Sequence, residues 1–159
     1  EQTFAIDGDT ISAVANKADL EALGIDTSNM EGSGKNVSVT VRYLLIDTPE
    51  SKHPTKPAQP YAKEASNRNN ELLHNGSVTI EFDKGPKVDK YGRLLAYVYS
   101  GDLFVQELLL EEGYARIAYV EAPNTTHLNR LQVAEATAKD QQLHIWSKPG
   151  YVTEKGFTD

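Results

Sequence analysis

Cysteine is absent from this sequence, and no apolar run approaches the ~20 residues that a membrane-spanning helix requires. Without thiols the chain can form no disulfide, no thiolate metal site and no cysteine nucleophile. A glycine-rich phosphate loop, an HExxH pair, a GxSxG motif and an EF-hand loop are missing as well. Any metal must therefore be held by oxygen atoms or histidine rings, and we expect no membrane insertion by this chain.

The overall charge argues against anionic partners. The formal net charge is -7, which at long range repels nucleic acid and anionic membranes. The segment DKGPKVDKYGR at 83–93 is a local exception, because it holds four cationic and only two acidic side chains. A solvated hairpin would explain such a run equally well. If the chain binds phosphate, the site must be local.

The distribution of apolar residues predicts one α+β domain. The 159 residues are 39% hydrophobic and 25% charged, as in ordinary globular proteins, so we expect a single domain over 1–159 with an insertion at about 13–36. Period-2 patterns predict strands within 3–14 and at 36–46, 77–82 and 94–99. Helical spacing predicts one helical turn at 19–23 and helices at 61–73, 103–112 and 125–142, the first of these three followed by Asn75 and Gly76 as a stop. Strands come first and helices gather late, which favours a small antiparallel barrel over a parallel sheet.

The stretch LLIDTPESKHP at 44–54 ends an apolar run with oxygen-bearing side chains. Asp47, Thr48 and Glu50 lie where this strand ends, and Asp7 and Asp9 flank a glycine at another turn. Hard divalent cations prefer such oxygen ligands. A simple turn and cap would use the same residue types, so both interpretations remain open here.

Two arginines and two tyrosines are candidates for nucleic-acid contacts. Arg42 lies on the polar side of an apolar strand, and an unbroken strand would point it away from Asp47, so a shared site requires a bend between them. Arg93 ends the cationic segment, and a guanidinium can hold two phosphate oxygens at once. Tyr91 and Tyr119 offer faces for base stacking, although packing is the commoner use of tyrosine.

Several separated motifs resemble the staphylococcal nuclease family. They are AIDGDT, VRYLLIDTPESKHP, EFDKG, DKYGRLLAYVY, ARIAYV, PNTTH and IWS, and they extend from about residue 5 to 147. The resemblance implies a five-stranded OB-fold antiparallel β-barrel with about three α-helices. It also implies calcium-dependent hydrolysis of DNA and RNA that leaves 3′-phosphate ends.

The resemblance assigns roles to the acidic residues. Asp9 and Asp47 would bind Ca²⁺ through their carboxylates, and Thr48 would offer its backbone carbonyl. Glu50 would act on the attacking water as a general base or by positioning it. Asp7 and Asp89 match positions that support their neighbours.

The resemblance also assigns the contacts to substrate. Arg42 and Arg93 would bind the scissile phosphate, and Lys90, Tyr91 and Tyr119 would line the nucleotide pocket. The expected partners are DNA and RNA, single-stranded or frayed, and we expect a monomer that is secreted or tethered to the cell surface.

Two departures from the family pattern affect these expectations. Glu121 stands where the family's best-known member has a second tyrosine, and the segment between Thr10 and Arg42 is long. A carboxylate in the pocket would repel phosphate, so we expect weaker substrate binding than in a basic relative. The alternatives are a catalytically inactive OB-fold binding or scaffold module and an acidic calcium-binding surface protein. An inactive module would have no need of the complete set Asp9, Arg42, Asp47, Glu50 and Arg93.

Overall fold

The structure is a computed structural model that describes residues 3–74 and 77–158. The predicted stop at Asn75 and Gly76 lies outside this range. The helices in the described part are α1 (Lys17–Ala22), α2 (Ala62–Leu72), α3 (Val105–Glu111) and α4 (Leu128–Gln141), with a 3-10 turn at His144–Ser147. The strands there are β1 (Phe4–Asp7), β2 (Thr10–Asn16), β3 (Gly32–Ser33), β4 (Asn36–Tyr43), β5 (Ile46–Asp47), β6 (Val78–Glu81), β7 (Leu94–Ser100), β8 (Leu103–Phe104), β9 (Arg116–Ile117), β10 (Val152–Thr153) and β11 (Gly156–Phe157).

Five strands form the main sheet in the order β1-β2-β4-β7-β6, and β3 and β8 extend it from β4 and β7. The predicted α+β class is confirmed. One pairing differs from the expected antiparallel pattern, since β4 and β7 run parallel with Val41 opposite Leu94. The physical reason is the connection between them: α2 and β6 intervene, and parallel neighbours require such a long crossover.

Strand β4 follows the predicted period-2 pattern. Val37, Val39, Val41 and Tyr43 are each at most 4% exposed, whereas the alternate residues face outward or are half-buried. Removal of such side chains from water stabilises the fold by about 1.5–3 kcal/mol each. The inner face of β4 therefore fixes which way Arg42 points.

The segment at 13–36 begins inside β2, which pairs with β4 from Thr10 to Asn16. It continues as α1, a short helix whose first turn is capped by a bond from Asp19 N to Asn16 Oδ1 of 2.9 Å. Leu20 and Ile25 are buried, so this segment packs against the sheet. Whether 1–159 folds as one domain stays a prediction.

Two helices begin later than predicted. Leu103 and Phe104 pair with the end of β7, so α3 starts only at Val105. Helix α4 starts at Leu128 rather than at 125, after a turn in which Leu128 N donates to Thr125 O. Within residues 3–74 and 77–158, no helix combines the length and the apolar character needed to cross a bilayer.

Candidate active site

The β1–β2 turn lies directly against Thr48. A Cβ atom on Gly8 would come within 2.5 Å of Thr48 Oγ1, so only glycine permits this approach. Thr48 Oγ1 is buried and has no hydrogen-bond partner among the described residues. The turn thereby places Asp7 and Asp9 at the end of β5, so the two acidic segments lie together.

Asp9 is 7% exposed, and both of its carboxylate oxygens have partners. Oδ1 accepts a hydrogen bond from Thr10 Oγ1 at 3.0 Å. Oδ2 accepts one from the Thr48 backbone N–H at 3.1 Å and lies 3.5 Å from Arg42 Nη2. These contacts fix the position of the Asp9 carboxylate beside Thr48 and Arg42.

A bend between β4 and β5 brings Arg42 and Asp47 to the same side. Strand β4 ends at Tyr43, and Leu45 adopts a positive φ of 72° before β5 begins. Arg42 Nη1 donates to the carbonyl oxygens of Tyr43 and Ile46, both at 3.0 Å, and so spans the bend. The bend that a common site needs is therefore present.

The acidic residues of this region perturb one another. Burial raises the pKa of Asp7 to about 7, and the neighbouring Asp9 carboxylate adds to the effect. Burial and Asp9 also raise the pKa of Asp47, against the opposing influence of the Arg116 and Arg42 guanidiniums. Carboxylates that destabilise each other's charge in this way favour a bound cation.

The described residues of this region suit a calcium ion whose coordination is completed by water, and they do not form a preformed cage of side chains. Within residues 3–74 and 77–158, no group of three or more histidine, aspartate or glutamate side chains is arranged to hold a metal. Asp9 and Asp47 are carboxylates near enough for the charge of Asp9 to raise the pKa of Asp47, and Thr48, which follows Asp47, is 5% exposed. Calcium accepts such irregular sets completed by water, whereas magnesium demands a stricter octahedron.

Glu50 projects from the loop that follows β5 and is exposed. Its backbone N–H donates to Gln59 Oε1 at 2.7 Å, and its own Oε2 accepts from Lys52 N at 2.9 Å. The Glu50 charge contributes to the raised pKa of Asp7, so it acts on the acidic turn. In the described part of the chain Glu50 forms no ion pair with Arg42 or Arg93.

The substrate-contact candidates come together at one cleft. Its volume is about 660 Å³, and its lining includes all five predicted residues, namely Arg42, Lys90, Tyr91, Arg93 and Tyr119. Tyr91 and Tyr119 are 72% and 65% exposed, so their rings lie outside the core. The guanidinium of Arg42 lies 5.3 Å from the Tyr119 ring centroid. Arg42 is thus shared between the acidic group and the cleft.

The turn before β7 is organised by Asp89. Its Oδ1 accepts from the backbone N–H groups of Tyr91 and Arg93, both at 2.9 Å, and its Oδ2 accepts from Arg93 Nε at 2.8 Å. Burial would raise the pKa of Asp89, but the bonds from Arg93 and Tyr91 hold it below its usual value. The supporting position predicted for Asp89 agrees with these contacts.

Glu121 and Asn124 also line the cleft. Asn124 is 4% exposed and ties the cationic segment down, since its Oδ1 accepts from Gly85 N and its Nδ2 donates to Pro86 O. Glu121 is exposed and adds negative charge beside Arg42 and Arg93.

Two buried residues of this region were not predicted from the sequence. Arg116 donates from Nε to Asp47 Oδ2 at 3.1 Å and is 8% exposed. Asn69, fully buried, accepts from Tyr43 Oη at 2.6 Å and donates to Asp7 O at 2.9 Å. An arginine inside the apolar run ARIAYV was the available signal for Arg116. Asn69 left none, because it is one of several asparagines in α2.

Comparison with known proteins points to one family. The family model described as "Staphylococcal nuclease homologue" matches residues 40–148. The chain belongs to the staphylococcal nuclease family. Membership also confirms the resemblance drawn from the sequence, and the curled sheet with its four described helices fits the OB-fold-like α+β expectation.

Individual relatives match different shares of this chain. It is 50% identical over 153 residues to endonuclease YncB and to the SPbeta prophage-derived endonuclease YokF of Bacillus subtilis (strain 168), matches that take in 96% of this chain. They take in only 64% of YncB and 45% of YokF, so the chain spans about half to two thirds of these relatives. A thermonuclease of Staphylococcus intermedius is 43% identical over 108 residues, which is 68% of this chain and 63% of that protein.

Proposed function

We propose that this chain is a calcium-dependent nuclease that hydrolyses phosphodiester bonds of DNA and RNA and leaves 3′-phosphate ends. The observation that carries the proposal is the position of Arg42, which contacts Asp9 at 3.5 Å and lines the cleft that contains Arg93. The names of the relatives, endonuclease and thermonuclease, support the same reaction class.

The two arginines would stabilise the charge that develops on the phosphoryl oxygens. A phosphodiester resists attack because it is anionic, and oriented guanidiniums offset the growing charge on its oxygens. Arg93 is held by Asp89 through Nε, which orients the fork towards the cleft. Ca²⁺, held by Asp9, Asp47 and the Thr48 carbonyl, would supply further neutralisation of that charge.

Glu50 would act on the attacking water. As general base it accepts a proton while the water oxygen bonds to phosphorus. The bond from phosphorus to the 5′-oxygen breaks, the 5′-oxygen takes up a proton, and the phosphate remains on the 3′ side. The bonds of the Glu50 backbone to Gln59 restrict the loop, and exposure leaves the carboxylate accessible to water.

The rest of the cleft would select the nucleotide. Tyr91 and Tyr119 offer exposed rings for stacking, and Lys90 adds a cation beside them. Stacking of this kind needs unpaired bases, which favours single-stranded or frayed DNA and RNA. Glu121 would weaken phosphate binding, consistent with a net charge of -7. We further propose that the protein acts as a monomer, secreted or tethered to the cell surface.

The first test is hydrolysis of heat-denatured DNA and of RNA with calcium, with magnesium and with chelator. Glu50→Gln removes the proton acceptor and keeps the shape, so the rate should fall by about 10²–10⁴-fold. The products should resist polymerase extension until a phosphatase removes the 3′-phosphate.

The matched controls lie outside the cleft. Glu107 and Arg130 form a two-bond ion pair on α3 and α4, so Glu107→Gln and Arg130→Lys should leave the rate unchanged. If the wild type binds denatured DNA yet cleaves it no faster than Glu50→Gln, the chain is an inactive binding module. Cleavage that is insensitive to chelator would remove calcium from the proposal.

A further inference from the structure

Arg116 connects Asp47 to the end of the chain. It stands opposite Asp47 in the β5–β9 pair and donates from Nε to Asp47 Oδ2 at 3.1 Å. From Nη1 it reaches the carbonyl oxygens of Thr153 and Glu154, both at 3.5 Å. Its guanidinium also lies 5.7 Å from the ring centroid of Phe157. A single buried side chain thus touches a proposed metal ligand and the β10–β11 hairpin.

The β10–β11 hairpin is itself anchored to the body of the protein. Tyr151 is 3% exposed, and its hydroxyl donates to Pro60 O at 2.6 Å. Its ring packs on Phe157, with centroids 5.3 Å apart. Gly156 adopts φ 125°, which L side chains rarely adopt, and its Cβ position lies 3.7 Å from Arg116 Nη2, so the hairpin backbone is in van der Waals range of the guanidinium. The hairpin lies beyond residues 40–148, the part that the family model matches.

We propose that the β10–β11 hairpin and Arg116 form a latch that positions the Asp47 carboxylate for a cation, with Arg116 holding Oδ2. Arg116 is a positioning residue in this arrangement, because it acts through Asp47. The proposal rests on the calcium site of the proposed function.

The charge of Arg116 and its positioning of Asp47 would have opposite effects on calcium affinity. A guanidinium 3.1 Å from Asp47 competes with a cation for the same carboxylate, so its removal should tighten calcium binding if charge alone matters. If the latch fixes the ligand, its removal should weaken binding, and loss of such supporting contacts typically costs about 10–100-fold in metal affinity. The sign of the change therefore separates the two.

The experiment measures the dissociation constant of Ca²⁺ alone by calorimetry, without nucleic acid. We expect it to rise by about 10-fold or more in Arg116→Gln. Arg116→Lys keeps the charge, but one ammonium cannot hold Asp47 and both hairpin carbonyls, so it should weaken binding as well. Phe157→Leu leaves Arg116 in place and loosens the hairpin, and should raise the constant by a smaller factor. An unchanged or tighter constant in Arg116→Gln, or wild-type affinity in Arg116→Lys, would overturn the latch.

Arg130→Gln is the matched control, because it removes a two-bond ion pair with Glu107 away from Asp47. It should leave calcium affinity unchanged even where it lowers stability. Circular dichroism of each variant identifies any that fail to fold, and Phe157→Leu is the mildest of the set.

A second readout needs no calcium. Hydrogen exchange of the hairpin amides should speed up about fivefold in Asp47→Asn, because the ion pair that holds Arg116 under the hairpin is weakened. If the wild type binds no calcium while hairpin exchange speeds up in Asp47→Asn, the proposed metal site is refuted, and only the structural link between Asp47, Arg116 and the hairpin is supported. If the exchange rate of the hairpin amides is unchanged in Asp47→Asn, the latch is refuted, whatever the calcium result.

Discussion

Replacement of Arg42 by lysine should cost both stability and rate, although the charge is kept. Arg42 Nη1 spans the β4–β5 bend through the carbonyls of Tyr43 and Ile46, and its side chain is only 12% exposed. A lysine ammonium cannot satisfy both carbonyls and also meet a phosphate. Loss of a donor to buried carbonyls costs about 1–3 kcal/mol. For a chain of this size, 2 kcal/mol corresponds to a fall of roughly 4–8 °C in the melting temperature.

Arg93→Lys provides the comparison. Its side chain is 34% exposed and its ion pair with Asp89 joins residues four apart in one turn, so the pair contributes about 0–1 kcal/mol. We expect Arg93→Lys to melt within about 4 °C of the wild type. Both variants should lose about 10²-fold in the rate of DNA hydrolysis, since each lacks a forked contact to phosphate.

The assays are thermal unfolding followed by circular dichroism and initial rates on heat-denatured DNA at saturating calcium. Arg130→Lys is the control, with little change expected in either quantity. Equal melting temperatures for Arg42→Lys and Arg93→Lys would contradict the reasoning, because the carbonyl bonds of Arg42 would then not hold the bend. A full rate in Arg42→Lys would exclude the guanidinium fork from the reaction.

Three further predictions concern the β1–β2 turn, the stability of the fold at low pH and the cleft. Gly8→Ala should lower the free energy of unfolding by about 1–3 kcal/mol in urea titrations and weaken calcium binding, because the new Cβ would meet Thr48 at 2.5 Å. Burial would raise the pKa of Asp83, but hydrogen bonds, led by that from the Thr126 side chain, lower it from 3.8 to about 2. Its stabilising effect is therefore complete above pH 3.8 and lost as the pH falls through 2, so urea midpoints of wild type and Asp83→Asn should converge in acid; a constant gap would contradict this. Glu121→Gln should lower KM for denatured DNA severalfold at low salt with kcat unchanged, and the gain should shrink as salt screens the cleft; an unchanged KM would refute the repulsion.

The sequence predicted the local features of the fold well. Alternation along β4 and helical spacing in α2 and α4 depend on neighbouring residues, so period-2 and period-3.6 patterns identify them. Pairing is different. The parallel contact between β4 and β7 joins residues far apart along the chain, and no local pattern encodes which distant strand becomes the neighbour. The late start of α3 has the same cause, because Leu103 and Phe104 pair with β7 and do not join the helix.

The candidate site shows the same difference between local features, which the sequence predicts, and contacts between distant segments, which it does not. The stretch LLIDTPE could be recognised as a source of oxygen ligands, and the segment at 83–93 as a local excess of cations, from residue types alone. The bond from Arg116 to Asp47 spans 69 positions in the sequence and was not predicted. Its only local trace was one arginine in an apolar run. The roles of all these residues in binding and catalysis stay predictions.

What the sequence by itself determined is the available chemistry: oxygen ligands without thiols, arginines suited to phosphate, and apolar alternation that commits one face of each strand to the core. Tertiary structure alone decided which of these groups meet. The Gly8 turn reaches Thr48, the bend at Leu45 directs Arg42 to both Asp9 and the cleft, and the hairpin closes over Arg116. The physical reason is that side-chain type and spacing act over a few residues, whereas contacts between distant segments form only when the whole core packs.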